Sequence, residues 1–179
     1  SVKEISFPSA NGRDTIKAWR YSPLGKPKGV IQLIHGYGEH SRRYLHMIGK
    51  YNEAGYVVIA DDHLGHGKTV LNSEEFGYFG AKDGMTHVVK DIRRVTVYSK
   101  KKYPDQKLIL LGHSMGSFIA REYPTYMGDE DLIQTGMVGL CQAAETWDEN
   151  RGKFSSFAYI CIRNAICKEF RSRNKHQGV

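Results

Sequence analysis

The chain has 179 residues, 40% of them apolar and 25% charged, which suits a single folded core and excludes a collagen-like or low-complexity polypeptide. No apolar run approaches the ~18 residues that a membrane span requires. The 26 lysines and arginines outnumber the 19 acids, but the excess sits in short runs such as Arg42-Arg43, Arg93-Arg94, Lys100-Lys101-Lys102 and Arg171 to Lys175, with no aromatic stacking series beside them. That pattern argues for solvated helix ends rather than nucleic-acid binding, and leaves open a weak attraction to anionic lipid surfaces.

Val2 to Phe7 and Thr15 to Tyr21 read as two opening strands around Asn11-Gly12, a dipeptide that favours hairpin turns. Val30 to Ile34 is a buried strand that runs into the glycine-rich loop His35-Gly36-Tyr37-Gly38-Glu39-His40. Tyr44, Leu45, Ile48 and Tyr51 recur at helical spacing, Gly55 stands where a left-handed cap belongs, and Tyr56 to Ala60 forms the next strand. Val88, Ile92 and Val95 make a second helical stripe, ended at Tyr103-Pro104 because proline disfavours helix in the residue before it.

Lys107 to Leu111 is a short apolar strand leading into Gly112-His113-Ser114-Met115-Gly116 and then a helix from Ser117, which Pro124 is expected to kink or finish. Leu132 to Leu140 reads as a last core strand. Strands and helices alternating at these lengths predict an α/β fold with a mostly parallel sheet covered on both faces. From Cys141 the character shifts. Glu145 to Lys153 is polar, and Phe154 to Phe170 places Ala158, Cys161, Ile162, Ala165, Ile166 and Phe170 on one helical face.

The strand, sharp turn and helix around Ser114 are what a nucleophile on a strained elbow needs, because side chains at Gly112 or Gly116 would strike the strand or the helix. An ordinary glycine turn is the bland alternative. Acyl transfer also needs two backbone donors aimed at the oxygen that becomes negative. In such an architecture one comes from the residue after the nucleophile and one from the loop after an earlier strand, here the N–H groups of Met115 and Tyr37.

Three segments together resemble one family. His35-Gly36-Tyr37-Gly38-Glu39-His40-Ser41 with Arg43-Tyr44, Asp62-His63-Leu64-Gly65-His66-Gly67-Lys68-Thr69, and Gly112-His113-Ser114-Met115-Gly116-Ser117 resemble, in order, the oxyanion loop, a second loop and the nucleophile elbow of the monoacylglycerol lipase and lysophospholipase branch of the α/β-hydrolase superfamily. The likeness covers roughly Ser6 to Leu140. It departs at Leu64, where arginine is commoner, and at Thr69, where serine is commoner.

The resemblance implies a serine hydrolase of carboxylic esters, of monoacylglycerol or lysophospholipid type, working on a small-molecule acyl ester through an acyl-enzyme on Ser114. It further implies an α/β-hydrolase core over residues 1–143, the start of a cap over residues 144–179, and a triad acid and base carried after the cap. On that pattern the sheet is expected to be cut before its last strands. The alternative is a catalytically incomplete or non-catalytic hydrolase-fold chain. An internal triad of Ser114, Asp148 and His176 is formally available in the right order. It is disfavoured, because only one helical segment separates Asp148 from His176 and no strand remains to aim the histidine back.

Neither cofactor nor metal is expected, since Cys141, Cys161 and Cys167 show no ligand spacing and no ligand cluster surrounds the histidines. Reduced thiols and the lack of a secretory leader point to a cytoplasmic setting. The oligomeric state is left open. His63 and His66 are expected to make turn-forming hydrogen bonds, His113 to pack behind the elbow, and Glu39 and His40 to brace the oxyanion loop or line the mouth of the pocket.

Overall fold

The computed structural model describes residues 1–127 together with Ile133–Gln134. Ser1–Ile133 forms one compact unit. The strands are β1 (Val2–Pro8), β2 (Thr15–Tyr21), β3 (Gly29–Ile34), β4 (Tyr56–Asp62), β5 (Leu108–Gly112) and β6 (Ile133–Gln134), and the longer helices are α1 (Leu45–Glu53), α2 (Gly84–Lys102) and α3 (Met115–Met127). They form a six-stranded sheet in the order β1-β2-β4-β3-β5-β6. β1, β2 and β4 pair antiparallel, whereas β3 pairs parallel with both β4 and β5.

This order follows from handedness. The chain leaves β3 through α1 to reach β4 on one side, then returns through α2 to reach β5 on the other. Right-handed crossovers in opposite directions place α1 and α2 on opposite faces. The side chains agree. Val30, Ile34, Val57, Ile59, Leu108 and Leu110 share one buried cluster with Val88, Ile92 and Val95 of α2 and Ile119, Ala120 and Tyr123 of α3. Their alternating neighbours Ile31, Leu33, Val58, Ala60, Ile109 and Leu111 are buried on the other face, where Ile48 and Tyr51 of α1 supply cover.

Gln32 interrupts the apolar run of the central strand without an orphaned polar group. Its Nε2 donates to the Ile92 carbonyl at 2.9 Å and its Oε1 accepts from Thr96 Oγ1 at 2.8 Å, pinning α2 to the sheet. The opening hairpin is pinned to the same helix. Ser9 Oγ and the Ala10 amide donate to the buried Asp91 carboxylate at 2.6 and 2.7 Å, and Arg20 Nη1 donates to Tyr98 Oη at 3.1 Å. Burial pushes the Asp91 carboxyl above its ordinary pKa despite these donors.

Three local expectations change. The hairpin connection is a wider loop, Ser9–Asp14, closed by the Ser9 amide on the Asp14 carbonyl at 2.8 Å, with Gly12 at φ 75° inside it. β4 continues past Ala60 through Asp61 and Asp62, because both carboxylates find buried donors at the strand's end. α3 starts at Met115 and runs past Pro124 to Met127, so the proline removes a donor without ending the helix. The expected strand over Leu132–Leu140 is described only at Ile133–Gln134. The helix over Phe154–Phe170, the residues Asp148 and His176, and the cysteines lie outside the described residues.

Ile92 is fully buried between α2 and the sheet. Ile92→Ala is expected to cost about 2–5 kcal/mol of stability in a urea titration, as for other buried isoleucines. A loss below about 1 kcal/mol, typical of surface positions, would mean that this face is not the core.

Candidate active site

The geometry of the site begins with strand register. Ile34, the last residue of β3, pairs with Gly112, the last of β5, and the His113 amide extends the ladder by donating to the Ile34 carbonyl at 3.0 Å. Two loops therefore leave the carboxyl edge side by side, at the point where the strand order switches direction.

After β5 the chain turns sharply. Ser114 has φ 53°, a left-handed value that a non-glycine residue adopts at a cost, and its side chain is exposed. The flanking glycines are sterically obligatory. A Cβ at Gly112 would overlap the carbonyl of Gly116, and one at Gly116 would overlap the carbonyl of Ile34. Gly116 and Ser117 spend their amides on the carbonyls of His113 and Ser114, each at 2.9 Å. Among the described residues the Met115 amide has no hydrogen-bond partner. It stands at the first turn of α3, where the helix dipole favours negative charge.

The loop after β3 leaves an amide in the same way. The Gly36 amide donates to Glu39 Oε1 at 2.5 Å and the Gly38 amide to His66 Nε2 at 3.1 Å. Between them, the Tyr37 amide has no partner among the described residues. Gly36 lies so near the elbow that a Cβ there would be 3.0 Å from the Ser114 Cβ and 3.2 Å from the His113 carbonyl oxygen. The exposed Tyr37 ring rests edge-on to His66 and Phe79 at centroid distances of 5.4 and 6.1 Å. The structure thus brings the segments of all three predicted residues, Ser114, Tyr37 and Met115, to one edge of the sheet.

Beneath this edge lies a polar layer. The His63 amide donates to His35 Nε2 at 3.0 Å, so His35 carries its proton on Nδ1, 2.7 Å from the Gly36 carbonyl. Burial, helped by the charge on His63, lowers the His35 pKa to about 3 and keeps this ring neutral. His63 stacks on it at 3.8 Å and faces acceptors at both nitrogens, Asp61 Oδ2 at 2.7 Å and the His35 carbonyl at 3.2 Å. Burial opposes its charge, but Asp61 more than compensates, so His63 is held protonated and Asp61 ionised. His66 is pushed towards the neutral form by burial, which leaves Nε2 free to accept from Gly38.

Asp62 ties the second loop to the first. Its Oδ1 accepts from the Ser41 amide and hydroxyl at 2.8 and 2.7 Å, and its Oδ2 from the Lys68 amide at 2.8 Å. A Cβ at Gly67 would collide with that carboxylate. Thr69 Oγ1 donates to the Asp62 carbonyl at 2.6 Å and accepts the Lys17 amide at 3.0 Å, a task for which threonine serves as well as serine.

Glu39 braces the loop after β3. Its Oε1 accepts from Gly36, from Tyr44 Oη at 2.5 Å and from His113 Nδ1 at 3.0 Å, so His113 turns sideways onto this carboxylate instead of packing behind the elbow. Neither Asp61 nor the link between Glu39 and His113 was visible from the sequence. The only signal was the adjacency of Asp61 and Asp62, which alternation points to opposite faces of β4. A cavity of about 250 Å³ lined by Arg13, Asp14, Leu64 and Phe79 includes none of Ser114, Tyr37 and Met115. Among the described residues no group of three or more His, Cys, Asp or Glu could hold a metal, and no helix is long and apolar enough to cross a membrane.

Burial raises the Glu39 pKa, but the donors from His113, Tyr44 and Gly36 outweigh it and lower the value from 4.5 to about 2. The folded value lies below the unfolded one, so the ionised carboxylate stabilises the fold above pH 4.5 and that contribution is lost as pH falls towards 2. Glu39→Gln is therefore expected to lower stability near neutrality and to make its decline between these pH values shallower, as read from urea midpoints across the range. An unchanged slope would remove Glu39 from the acid response.

Comparison with known proteins agrees with this architecture. Residues 25–168 match the family model described as serine aminopeptidase, S33. The chain is 31% identical to monoglyceride lipase of Mus musculus over 165 residues, 88% of this chain and 52% of that protein. It is 34% identical to monoacylglycerol lipase of Mycolicibacterium smegmatis over 125 residues, 67% of this chain and 40% of that protein. Among solved structures, a highly thermostable carboxyl esterase from Bacillus coagulans in complex with glycerol superposes with a TM-score of 0.67 at 47% identity, covering 81% of this chain and 47% of that one. The chain thus spans about half the length of the curated relatives it matches. With the family match extending from before β3 to beyond β6, this chain belongs to the serine aminopeptidase S33 family, in the monoglyceride lipase-like branch of the α/β-hydrolases.

Proposed function

We propose that the protein carrying this chain is a serine hydrolase of carboxylic esters, acting on monoacylglycerols or similar single-chain acyl esters. The observation that carries the reading is Ser114, exposed at φ 53° between two obligatory glycines, with the unengaged amides of Met115 and Tyr37 on the adjoining segments. In the first step a histidine base takes the Ser114 proton as Oγ attacks the ester carbonyl, and the tetrahedral oxyanion is held by the Tyr37 and Met115 amides. Collapse expels the alcohol, which receives the proton from the histidine. Water, activated by the same base, then releases the fatty acid and frees Ser114.

Two backbone donors are a large contribution to this chemistry. Losing one costs about 3–4 kcal/mol of barrier in comparable sites, because the donors are already oriented when the charge appears. The base and its acid partner are assigned to the part of the protein that follows a cap beginning near residue 144, with the core occupying residues 1–143. A cap there would shape the acyl pocket. Relatives called monoacylglycerol and monoglyceride lipase, and a carboxyl esterase, favour an ester over the peptide substrate that the family's description suggests. A cytoplasmic setting with weak contact to lipid surfaces suits such a substrate.

A fluorophosphonate should label Ser114 in the whole protein, and Ser114→Ala should abolish both labelling and turnover of short acyl glycerol esters. Absence of labelling in a folded protein would favour a non-catalytic use of the fold.

A further inference from the structure

We propose that Glu39 is a positioning residue for the oxyanion hole, its one carboxylate oxygen coupling the loop that offers the Tyr37 amide to the turn that carries Ser114. The inference rests on the assignment of Ser114 as nucleophile. Glu39 Oε1 accepts from the Gly36 amide and from Tyr44 Oη, both at 2.5 Å, and from His113 Nδ1 at 3.0 Å. Gly36 immediately precedes Tyr37, and His113 immediately precedes Ser114. One atom therefore reaches the residue before each reacting group on two segments far apart in sequence.

The coupling matters because glycine cannot hold its own conformation. Gly36 has to lack a side chain, since a Cβ would fall 2.9 Å from Glu39 Oε1 and 3.0 Å from the Ser114 Cβ. Without a Cβ the residue rotates freely, and with it the peptide plane whose N–H belongs to Tyr37. The plane is fixed instead by hydrogen bonds on it and on either side of it: its own Gly36 carbonyl accepts from His35 Nδ1 at 2.7 Å, the Gly36 amide before it donates to Glu39, and the Gly38 amide after it donates to His66 Nε2 at 3.1 Å. An oxyanion donor is effective only when oriented before the reaction, so orienting this plane is part of lowering the barrier.

The carboxylate is also held in place. Only 8% of the Glu39 side chain is exposed, Tyr44 reaches it from the turn before α1, and Arg43 Nη1 lies 3.9 Å from Oε2. A negative charge so close to a developing oxyanion would by itself oppose catalysis. Its donors spread that charge away from the reacting atoms, and a neutral acceptor in the same place retains the orientation. Positioning therefore predicts that glutamine, unlike alanine, keeps the site working.

The test uses the whole protein carrying this chain, with a short acyl ester as substrate and a fluorophosphonate as a second readout, below the unfolding midpoint of every variant. Glu39→Ala is expected to lower kcat and the rate of Ser114 labelling by about 100-fold, the scale of losing one oxyanion donor, with KM changed less than about twofold. Glu39→Gln, whose carbonyl oxygen still accepts from Gly36 and Tyr44, should restore activity to within about tenfold of the parent. A shifted unfolding midpoint with kcat unchanged in Glu39→Ala would overturn the inference and leave Glu39 a structural residue. A Glu39→Gln variant as slow as Glu39→Ala would overturn it too. Failure of the parent protein to label at Ser114 would sink the nucleophile assignment and this inference with it, whereas normal labelling in Glu39→Ala would sink the inference alone.

Discussion

The pairing of Ile34 with Gly112 is the constraint on which the site depends. Parallel strands that end together deliver their following loops to one place, and here they do so with almost no clearance. The carbonyl of Ile34 occupies the space a Gly116 side chain would need, and the carbonyl of Gly116 occupies the space a Gly112 side chain would need. A register slip of one residue would exchange the side chains packed against α2 and α3 with those packed on the α1 face and separate the loops, so the packing of the core and the geometry of the elbow are specified by the same pairing.

The end of β4 makes the third side of this arrangement, and it is polar where a buried strand end would ordinarily be apolar. Asp61, Asp62, His35, His63 and His66 are all essentially without exposed surface. Burying such groups is unfavourable unless each finds a partner, and most do so within the layer itself. The arrangement trades apolar packing for directional bonds whose endpoints are backbone groups of the loop after β3: the Gly36 carbonyl, the Gly38 amide and the His35 carbonyl. Directionality is what a loop of glycines lacks on its own.

The sequence showed the architecture well because periodicity and punctuation agreed. The strand at Val30 to Ile34, the helix stripe of Val88, Ile92 and Val95, and the stop at Tyr103-Pro104 all appear close to their expected limits. The elbow was legible for a local reason, since strand, glycine, serine and glycine express a steric demand within a few residues. What escaped was long-range. The Glu39 partner at His113 and the Asp91 partners at Ser9 and Ala10 lie 74, 82 and 81 residues away in sequence, and no spacing rule joins them. Of the kink or end expected at Pro124, an end at the proline itself does not occur, because propensity is a weak prior once a helix is held by its neighbours, and α3 continues to Met127.

The fastening of the opening hairpin to α2 has a bearing on how the molecule opens. β1 is an outer strand with most of its side chains exposed, and such ribbons usually fray one at a time. Here the Ser9–Asp14 loop is anchored to Asp91 and Arg20 to Tyr98, both on the helix that also grips Gln32 of the central strand. Transient breathing of the periphery is thereby linked to loosening of the interior, which makes the first twenty or so residues a cooperative part of the folding unit rather than a dispensable fringe.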